Sequence, residues 1–357
     1  MINVLLLGFP EKNDKRTGGI IVDYEYEKIL LGNMNCNIEV KGLKESGLSQ
    51  YIYSNKQKEK IVNLLKKYDV LIIDARAFTY FCTVISYIRR KSAIKIYAVV
   101  HHFYYKQMKG GMRIPVYLSE MYTLKRMDGL LFAGEYSYGL ATKKKTLNRL
   151  SLTYIGIGFD NSTGIVKRNP DSNNNIIFIG HIIPRKGPHY LIKALEMLKK
   201  KDGLTPTTNI IGDMEKNLRY TRKLIKMIKK ADLTENVKLR GRIDEEEKDE
   251  ILKKSGVFVF PSLCEGFGMV ILETMRYGIP AVVFNNTSMP FSVLDNENGY
   301  VVKNKSWTGL YEKIKLLYEG NVYDNLSKGA EKTYLSAMSW DDVATNLNKW
   351  VFAEAGR

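Results

Sequence analysis

The chain has 357 residues, of which 45% are hydrophobic and 26% charged, and it carries 55 Lys and Arg against 38 Asp and Glu, a formal net charge of +17. This length favours two domains, and the composition is that of a globular protein with an apolar core, which excludes disordered and fibrous classes. No stretch approaches the roughly 18 apolar residues that cross a bilayer. The N-terminus lacks the basic leader of a signal peptide, and the three cysteines have neither disulfide nor metal spacing, so a cytoplasmic protein is expected.

Positive charge is concentrated in the first part of the chain. Residues 1–160 carry 25 Lys and Arg against 14 Asp and Glu, whereas the remaining 197 residues carry 30 against 24. Such a bias suits an anionic partner, which predicts peripheral binding to the inner face of a membrane or binding to nucleic acid. The alternative interpretation is a basic protein whose lysines are simply solvated.

Apolar runs alternate with amphipathic stretches over the first 160 residues. The predicted strands cover residues 2–8, 37–42, 70–74, 94–100, 129–133 and 152–156. The predicted helices cover residues 20–31, 55–67, 77–91, 115–126 and 137–149. This alternation predicts a doubly wound parallel sheet, an α/β architecture in which ligands bind at the carboxyl ends of the strands.

Two features stand at predicted strand ends in this part. Gly18 and Gly19 lie between the first strand and the first helix, where glycine lets the backbone approach a ligand closely. His101 directly follows the fourth strand, and we favour it over His102 as a residue at the mouth of a site. The alternative interpretation is a histidine with a structural hydrogen bond.

The segment 101–113 mixes aromatic and basic side chains. Aromatic rings lie well at interfaces, lysines attract anionic head groups, and bases stack on aromatic rings. The segment is therefore a candidate acceptor loop, membrane-touching loop or nucleic-acid loop, and a mobile loop with two glycines fits equally.

A polar segment, residues 161–175, marks a domain boundary. In the second half of the chain, apolar runs again alternate with amphipathic stretches. Its predicted strands cover residues 176–180, 208–212, 236–241, 257–260, 280–284 and 300–302. Its predicted helices cover residues 188–201, 216–231, 245–254, 269–277, 306–318 and 340–353. Asp244, with Glu247 three residues later, has the pattern of a helix N-cap.

The segment 261–273, Pro-Ser-Leu-Cys-Glu-Gly-Phe-Gly-Met-Val-Ile-Leu-Glu, follows the apolar strand 257–260. The glycines of its loop let the backbone approach a ligand, and the start of the following helix suits an anion. Glu265 lies in the loop and Glu273 about two turns along the helix, and both carboxylates can accept hydrogen bonds from sugar hydroxyls. Two ordinary surface glutamates are the alternative.

This spacing resembles the Glu-x7-Glu motif of the retaining glycosyltransferases of family 4. The surrounding pattern of strand, Pro-Ser, Glu-Gly-Phe-Gly and helix ending in Gly-x-Pro is also similar. The resemblance implies that Glu265 contacts the donor sugar and Glu273 the ribose of the nucleotide. It also implies that His101 contacts the donor sugar and that the base binds near Ile243.

The family also has a Gly-Arg-x-x-x-x-Lys-Gly segment whose two cations neutralise the donor diphosphate. Lys186 matches the Lys, His181 stands where the Arg is expected, and the adjacent Arg185 could supply the missing charge. A second departure is residues 285–290, which replace a glycine-rich loop. The donor-binding residues implied by the resemblance are Gly18, Gly19, His181, Arg185, Lys186, Ile243, Glu265, Gly266, Phe267, Gly268, Met269, Val270 and Glu273. Those implied in catalysis are His101, Lys186 and Glu265.

The resemblance implies the GT-B fold, with two Rossmann-like domains facing a central cleft. Residues 1–165 are expected to form the acceptor domain and 166–339 the donor domain. A final helix, 340–357, is expected to cross back onto the first domain.

The function that this implies is transfer of a hexose from a nucleotide-diphosphate sugar, UDP or GDP based, to a glycan or lipid-linked acceptor. No Asp-x-Asp triplet is present, so neither a metal nor another cofactor is expected. An alternative hypothesis is a GT-B scaffold with weak catalysis that binds nucleic acid or an anionic membrane. A DNA-modifying glycosyltransferase lies between the two.

Overall fold

The computed structural model describes residues 2–8, 18–32, 36–44, 46–50, 52–74, 77–108, 110–160, 163–169, 175–319 and 322–355. The chain divides into two compact units. The first unit comprises residues 1–160 with 338–357, and the second comprises residues 161–337.

The strands fall where short apolar runs predict them. They are β1 (Ile2–Leu7), β2 (Cys36–Lys41), β3 (Val70–Asp74), β4 (Lys95–Val100), β5 (Gly129–Phe132), β6 (Ser151–Tyr154), β7 (Ile176–Ile179), β8 (Thr208–Ile211), β9 (Val237–Gly241), β10 (Val257–Phe260), β11 (Ala281–Phe284) and β12 (Gly299–Val302).

The helices of the described residues lie between and after these strands. They are α1 (Gly18–Leu31), α2 (Asn55–Leu65), α3 (Phe78–Phe81), α4 (Ile85–Lys91), α5 (Arg113–Leu124), α6 (Glu135–Thr142), α7 (Pro188–Asp202), α8 (Leu218–Lys230), α9 (Glu245–Lys253), α10 (Met269–Met275), α11 (Met289–Ser292), α12 (Trp307–Glu319), α13 (Tyr323–Leu335) and α14 (Trp340–Ala355). None of them combines the length and apolarity needed to cross a bilayer.

Each unit is built on one six-stranded sheet whose pairings are all parallel. The strand order is β2-β1-β3-β4-β5-β6 in the first unit and β12-β11-β10-β7-β8-β9 in the second. The central strands are buried on both faces, which is why they read as unbroken runs of Val, Ile, Leu and Phe. The predicted α/β class with two Rossmann-like sheets is confirmed.

The strand order marks where a ligand can bind in the second sheet. From β7 the chain moves one way to β8 and β9, and it later returns to place β10 on the other side of β7. The strand order thus reverses between β7 and β10, and in sheets of this kind ligands bind beyond the carboxyl ends of the strands at such a reversal. The loops that follow β7 and β10 carry most of the residues implied in donor binding.

Helix α14 packs within the first unit although it lies at the end of the chain. The Trp350 ring meets the Tyr97 ring edge-on at 4.9 Å between centroids. The Asn346 side-chain amide donates a hydrogen bond to the Ile155 carbonyl at 3.0 Å. A side chain at Gly158 would collide with Trp340, so this close packing requires glycine there.

Two predicted helices differ from the structure in number or length, and a further helix was not predicted. The predicted helix 77–91 is two helices, α3 and α4, separated by a turn in which the Thr83 hydroxyl donates to the Tyr80 carbonyl. The predicted helix 137–149 is the shorter α6, which ends at Thr142. Helix α13 was not predicted, although its buried side chains have helical spacing: Tyr323, Leu326, Ala330 and Tyr334.

Candidate functional site

A cluster of two cations around one buried carboxylate lies between the loops that follow β7 and β10. The Lys186 Nζ atom is 2.7 Å from Glu265 Oε1, and Arg185 Nη1 is 3.2 Å from the same oxygen. The Ser262 hydroxyl also donates a hydrogen bond to that oxygen. Glu265 and Lys186 are only 9% and 14% exposed. The structure thus brings together three of the residues implied in donor binding, 79 or 80 positions apart in sequence.

Backbone contacts hold the two loops in register. The Leu263 N–H donates to the Arg185 carbonyl at 2.8 Å, and Arg185 in turn donates to the Cys264 carbonyl. Gly187 has φ 74°, and a Cβ there would lie 2.1 Å from the Pro261 carbonyl oxygen. The loops can approach this closely only because residue 187 is glycine.

The segment that departs from the family pattern supports the same carboxylate. The Thr287 hydroxyl accepts the Glu265 N–H at 2.9 Å, and the Ser288 hydroxyl donates to the Glu265 carbonyl at 3.3 Å. The Asn286 amide donates to the Ser262 carbonyl at 2.8 Å. Sequence reasoning missed these supporting residues because it treated the segment only as a loss of glycines.

The electrostatics of the cluster keep Glu265 ionised. Burial alone would raise the pKa of this carboxyl, but Lys186 and Arg185 outweigh it and hold the pKa below its ordinary value. Burial lowers the pKa of Lys186, and the adjoining carboxylate partly offsets that effect. The cluster is therefore a charged, desolvated group of the kind that concentrates at functional sites.

His181 cannot supply the charge of the arginine that it replaces. Burial lowers its pKa, and the nearby Lys186 and Lys216 lower it further. A histidine with a lowered pKa is neutral at pH 7. Arg185 makes the second charged contact with Glu265, so the positive charge at this site comes from Arg185 and Lys186.

Glu273 lies outside this cluster. It projects from α10, is 37% exposed, and its Oε2 atom is 3.6 Å from Lys248 Nζ of α9. Helix α10 spans seven residues and ends two residues before the predicted end. Gly268 precedes it at φ 87°, where a Cβ would lie 2.8 Å from Met289 Cε.

The remaining residues implied in donor binding line the same edge of the second sheet. Gly266, Phe267, Met269 and Val270 are half-buried at the end of the β10 loop and the start of α10. Ile243 is half-buried just beyond the end of β9. All follow the carboxyl ends of parallel strands, as ligand-binding residues of such sheets do.

The first unit holds a second buried polar cluster. His101 Nε2 is 2.7 Å from Asp23 Oδ1 of α1, and Asp74 at the end of β3 completes the group. Ligand atoms of the three residues lie within 4.8 Å of one another, so a divalent cation is the other occupant that this set could accept. The 2.7 Å separation is that of a hydrogen bond, which favours a shared proton between His101 and Asp23.

Asp23 is the unusual member of this cluster. Burial raises its pKa to about 7, and the neighbouring Asp74 adds to the rise while His101 opposes it. Sequence reasoning identified His101 but missed both aspartates. The signal was present, because Asp23 interrupts an apolar helix segment and Asp74 ends a fully buried strand.

Gly18 and Gly19 were predicted in a loop, but they form the first turn of α1. The preceding residues 9–17 lie outside the described residues. A Cβ at Gly19 would meet no atom within 4 Å, so packing does not require glycine there.

Comparison with known proteins identifies the class. The fold matches that of sucrose-phosphate synthase from Thermosynechococcus elongatus, with a TM-score of 0.78 and 15% identity over 100% of both chains. It also matches Anabaena HepE in complex with UDP and glucose, with a TM-score of 0.71 and 16% identity over 99% of this chain and 100% of that one. The chain therefore has the GT-B fold of two Rossmann-like domains.

Sequence comparison gives a family match for the second unit. Residues 165–333 match the family described as Glycosyl transferases group 1. The capsular polysaccharide biosynthesis glycosyltransferase CapM of Staphylococcus aureus is 25% identical over 224 residues, 58% of this chain and 57% of CapM. The chain spans about half the length of the curated relatives it matches, 52% and 57% for two of them. This family match lies within the second unit and covers just under half of the chain.

The buried ion pair generates a stability prediction. Lys186→Met and Glu265→Gln should each destabilise the protein by about 3 kcal/mol, because each leaves an uncompensated buried group. The double variant should cost little more than either single change, so the coupling energy should be about 2 kcal/mol or more. Urea unfolding of the wild type, the two single variants and the double variant measures this coupling energy. The exposed pair Lys200 and Glu196, neutralised in the same way, should show coupling below about 0.5 kcal/mol, and equal coupling for the two pairs would contradict the prediction.

The Asp23 carboxyl generates a pH prediction. Its folded pKa of about 7 lies above the ordinary value, so the folded state binds this proton more tightly and loses stability as the pH rises through 7. Asp23→Asn abolishes that loss. The free energy of unfolding of the variant, minus that of the wild type, should therefore increase between pH 5 and pH 8 by on the order of 2 kcal/mol.

Thermal and urea unfolding at the two pH values measure this difference. Asp232→Asn is the control, because that exposed carboxylate has a pKa lowered by its hydrogen bond to Lys199 and should give no such increase. An Asp23→Asn difference that is the same at pH 5 and pH 8 would show that the carboxyl titrates normally.

Proposed function

We propose that the protein is a retaining, metal-independent glycosyltransferase of the family 4 type. It would transfer a hexose from a nucleoside diphosphate sugar to a hydroxyl of a glycan or lipid-linked acceptor. The observation that carries this proposal is the cluster of Arg185, Lys186 and Glu265 at the edge of the sheet within a glycosyl transferases group 1 domain. A uridine nucleotide is favoured because the similar HepE structures contain UDP and UDP-glucose.

The cation pair suits the charge that develops in this reaction. When the bond between the sugar and the diphosphate breaks, its electron pair moves onto the leaving phosphate oxygen. Cations fixed next to that oxygen stabilise the transition state more than the ground state. We propose that Lys186 and Arg185 do this, each contributing roughly 1.5–3 kcal/mol through a charge-assisted hydrogen bond.

Glu265 then has two tasks in the proposed reaction. Without donor it neutralises Lys186 and Arg185, so that neither cation is buried alone. With donor bound, the diphosphate takes over that neutralisation, and the carboxylate can accept a hydrogen bond from a sugar hydroxyl. The acceptor hydroxyl would attack from the side that the diphosphate leaves, and its proton would pass to the leaving phosphate, so the anomeric configuration is retained.

The remaining roles follow the motif. We propose that Glu273 accepts hydrogen bonds from the ribose hydroxyls, since its carboxylate is partly exposed and held at 3.6 Å from Lys248. Backbone groups near Ile243 would contact the base. We propose that His101 contacts the donor sugar and that Asp23 orients its imidazole through the 2.7 Å hydrogen bond.

Donor binding tests the diphosphate and ribose roles. We expect UDP to raise the melting temperature more than GDP or ADP, because a ligand that binds only the native state stabilises it. Lys186→Met should weaken UDP binding by about 30-fold and Glu273→Gln by about tenfold, measured by titration calorimetry. Lys200→Met, a cation change on the exposed face of α7, is the matched control and should bind UDP normally. Normal UDP affinity in both site variants would refute the assigned roles.

Turnover tests the reaction class. A panel of UDP-hexoses should include one that releases UDP in the presence of an acceptor, and NMR of the product should show the anomeric configuration of the donor. His101→Ala should lower kcat by about a hundredfold with UDP affinity unchanged, because it removes a contact to the sugar and none to the nucleotide. An inverted product would exclude the retaining mechanism, and full activity in the variant would exclude His101 from the chemistry.

A further inference from the structure

Helix α5 of the first unit carries a row of exposed apolar side chains. Ile114, Leu118 and Tyr122 are spaced four residues apart, so they lie on one face of the helix. They are 67%, 60% and 41% exposed, and Met112, which directly precedes the helix, is 61% exposed. Met121 and Leu124 of the same helix are buried in the core. We call the exposed apolar side chains from Met112 to Tyr122 the α5 stripe.

Exposed large apolar side chains are concentrated in the α5 stripe. Of the large apolar side chains that are exposed among the described residues, four lie within its eleven positions. The others are scattered over both units, most of them one to an element. Single exposed apolar residues are normal, whereas a contiguous row marks a surface that binds something.

Cations surround the N-terminal half of the stripe. The Arg113 side chain starts α5 and is exposed. Lys144 Nζ lies 5.0 Å from the centre of the Tyr117 ring, and Lys106 Nζ lies 5.6 Å from the centre of the Tyr105 ring. Both lysine side chains are half-buried, and their ammonium groups lie over aromatic rings next to the helix.

Cations also surround the C-terminal half. The Arg126 guanidinium stacks 3.6 Å from the centre of the Tyr122 ring. Beyond it opens a cavity of about 440 Å³ whose lining includes four cations, Arg89, Lys125, Arg126 and Arg149, and one carboxylate, Asp128. An open basic cavity of this kind suits a phosphate group.

Acidic groups offset only part of this charge. Residues 101–150 contain nine Lys and Arg against three Asp and Glu. Glu120 of α5 is buried and accepts the backbone N–H groups of Tyr104 and Tyr105. Asp128 is paired with Arg89 at 2.7 Å. The surface around the stripe is therefore positively charged.

We propose that the α5 stripe docks the protein onto an anionic lipid bilayer. The aliphatic and aromatic side chains would enter the head-group region, and the surrounding Lys and Arg would contact lipid phosphates, as in other interfacial amphipathic helices. Single-stranded nucleic acid is disfavoured as the occupant, because bases stack on aromatic rings and the stripe is mostly aliphatic. This inference does not depend on the proposed transfer reaction, because it concerns lipid binding by the first unit.

Helix α8 provides an internal comparison. It is strongly basic, with exposed Arg222, Lys223, Lys226, Lys229 and Lys230, but apart from Leu218 at its start its apolar residues are buried or half-buried. If net charge alone attracted the protein to lipid, charge substitutions in α8 would reduce lipid binding as much as those around α5. If the stripe is the docking surface, substitutions in α8 should reduce lipid binding little.

Flotation of the full chain with lipid vesicles tests the proposal. The wild type should float with phosphatidylcholine vesicles that contain one third phosphatidylglycerol, and much less with phosphatidylcholine alone. Ile114→Ser with Leu118→Ser should lower the partition coefficient by at least about tenfold. Arg113→Gln with Lys125→Gln should lower it by about 30-fold. The matched controls are Leu218→Ser with Leu335→Ser for exposed apolar residues and Lys223→Gln with Lys226→Gln for charge, and both should float like the wild type.

Several results would overturn the proposal. One is flotation of the Ile114 and Leu118 variant at the wild-type level. Another is an equal loss in the α8 charge variant, which would mean that attraction follows net charge alone. A third is binding to single-stranded RNA without flotation on anionic vesicles. Circular dichroism and thermal unfolding verify that each variant is folded, and UDP binding by each variant separates loss of lipid binding from loss of the proposed donor site.

Discussion

The buried carboxylate of Glu265 is the constraint on which the candidate donor site depends. The buried Lys186 and the more exposed Arg185 both contact this one anion, which is the neutralising partner of the buried ammonium group. The Born cost of a lone buried ammonium would shift its proton equilibrium or expel it to water. The carboxylate keeps both charges at the edge of the sheet, where an incoming anion can compete for them. In the proposed reaction, the donor diphosphate would replace the carboxylate as the partner of these cations.

Sheet topology explains why these groups can meet at all. The loops after β7 and β10 are neighbours because the strand order reverses between those strands, although 79 residues separate Lys186 from Glu265. In the first unit, too, the ends of neighbouring parallel strands bring distant residues together, but the residues are a histidine and two aspartates. There, His101 after β4 meets Asp74 at the end of β3, while Asp23 reaches them from α1. In both units the polar groups lie at carboxyl ends of parallel strands and are balanced by neighbours within the unit.

Much of the fold was predictable from the sequence, and the reasons for success and failure are physical. Buried parallel strands are short continuous apolar runs, so strands such as β3 and β10 were predicted to the residue. Helix α13 was missed although its buried residues have helical spacing. Periodicity also does not say which face of a helix is covered. Helix α5 has apolar residues on two sides, and only packing reveals that Met121 faces the core while Leu118 faces solvent.

Individual site residues were predictable, but their pairings were not. The motif pointed to Glu265 and Lys186, yet no local pattern indicates that their side chains touch, because that contact depends on strand order. The departures from the family pattern illustrate the same limit. Taken alone, a neutral His181 in place of arginine and a segment without glycines at 285–290 suggest a weakened site. In the folded chain, Arg185 contacts the carboxylate from the adjacent loop, and Thr287 accepts the Glu265 N–H. Arg185 thus supplies the charge that His181 lacks, and the segment 285–290 supports the backbone of the same glutamate.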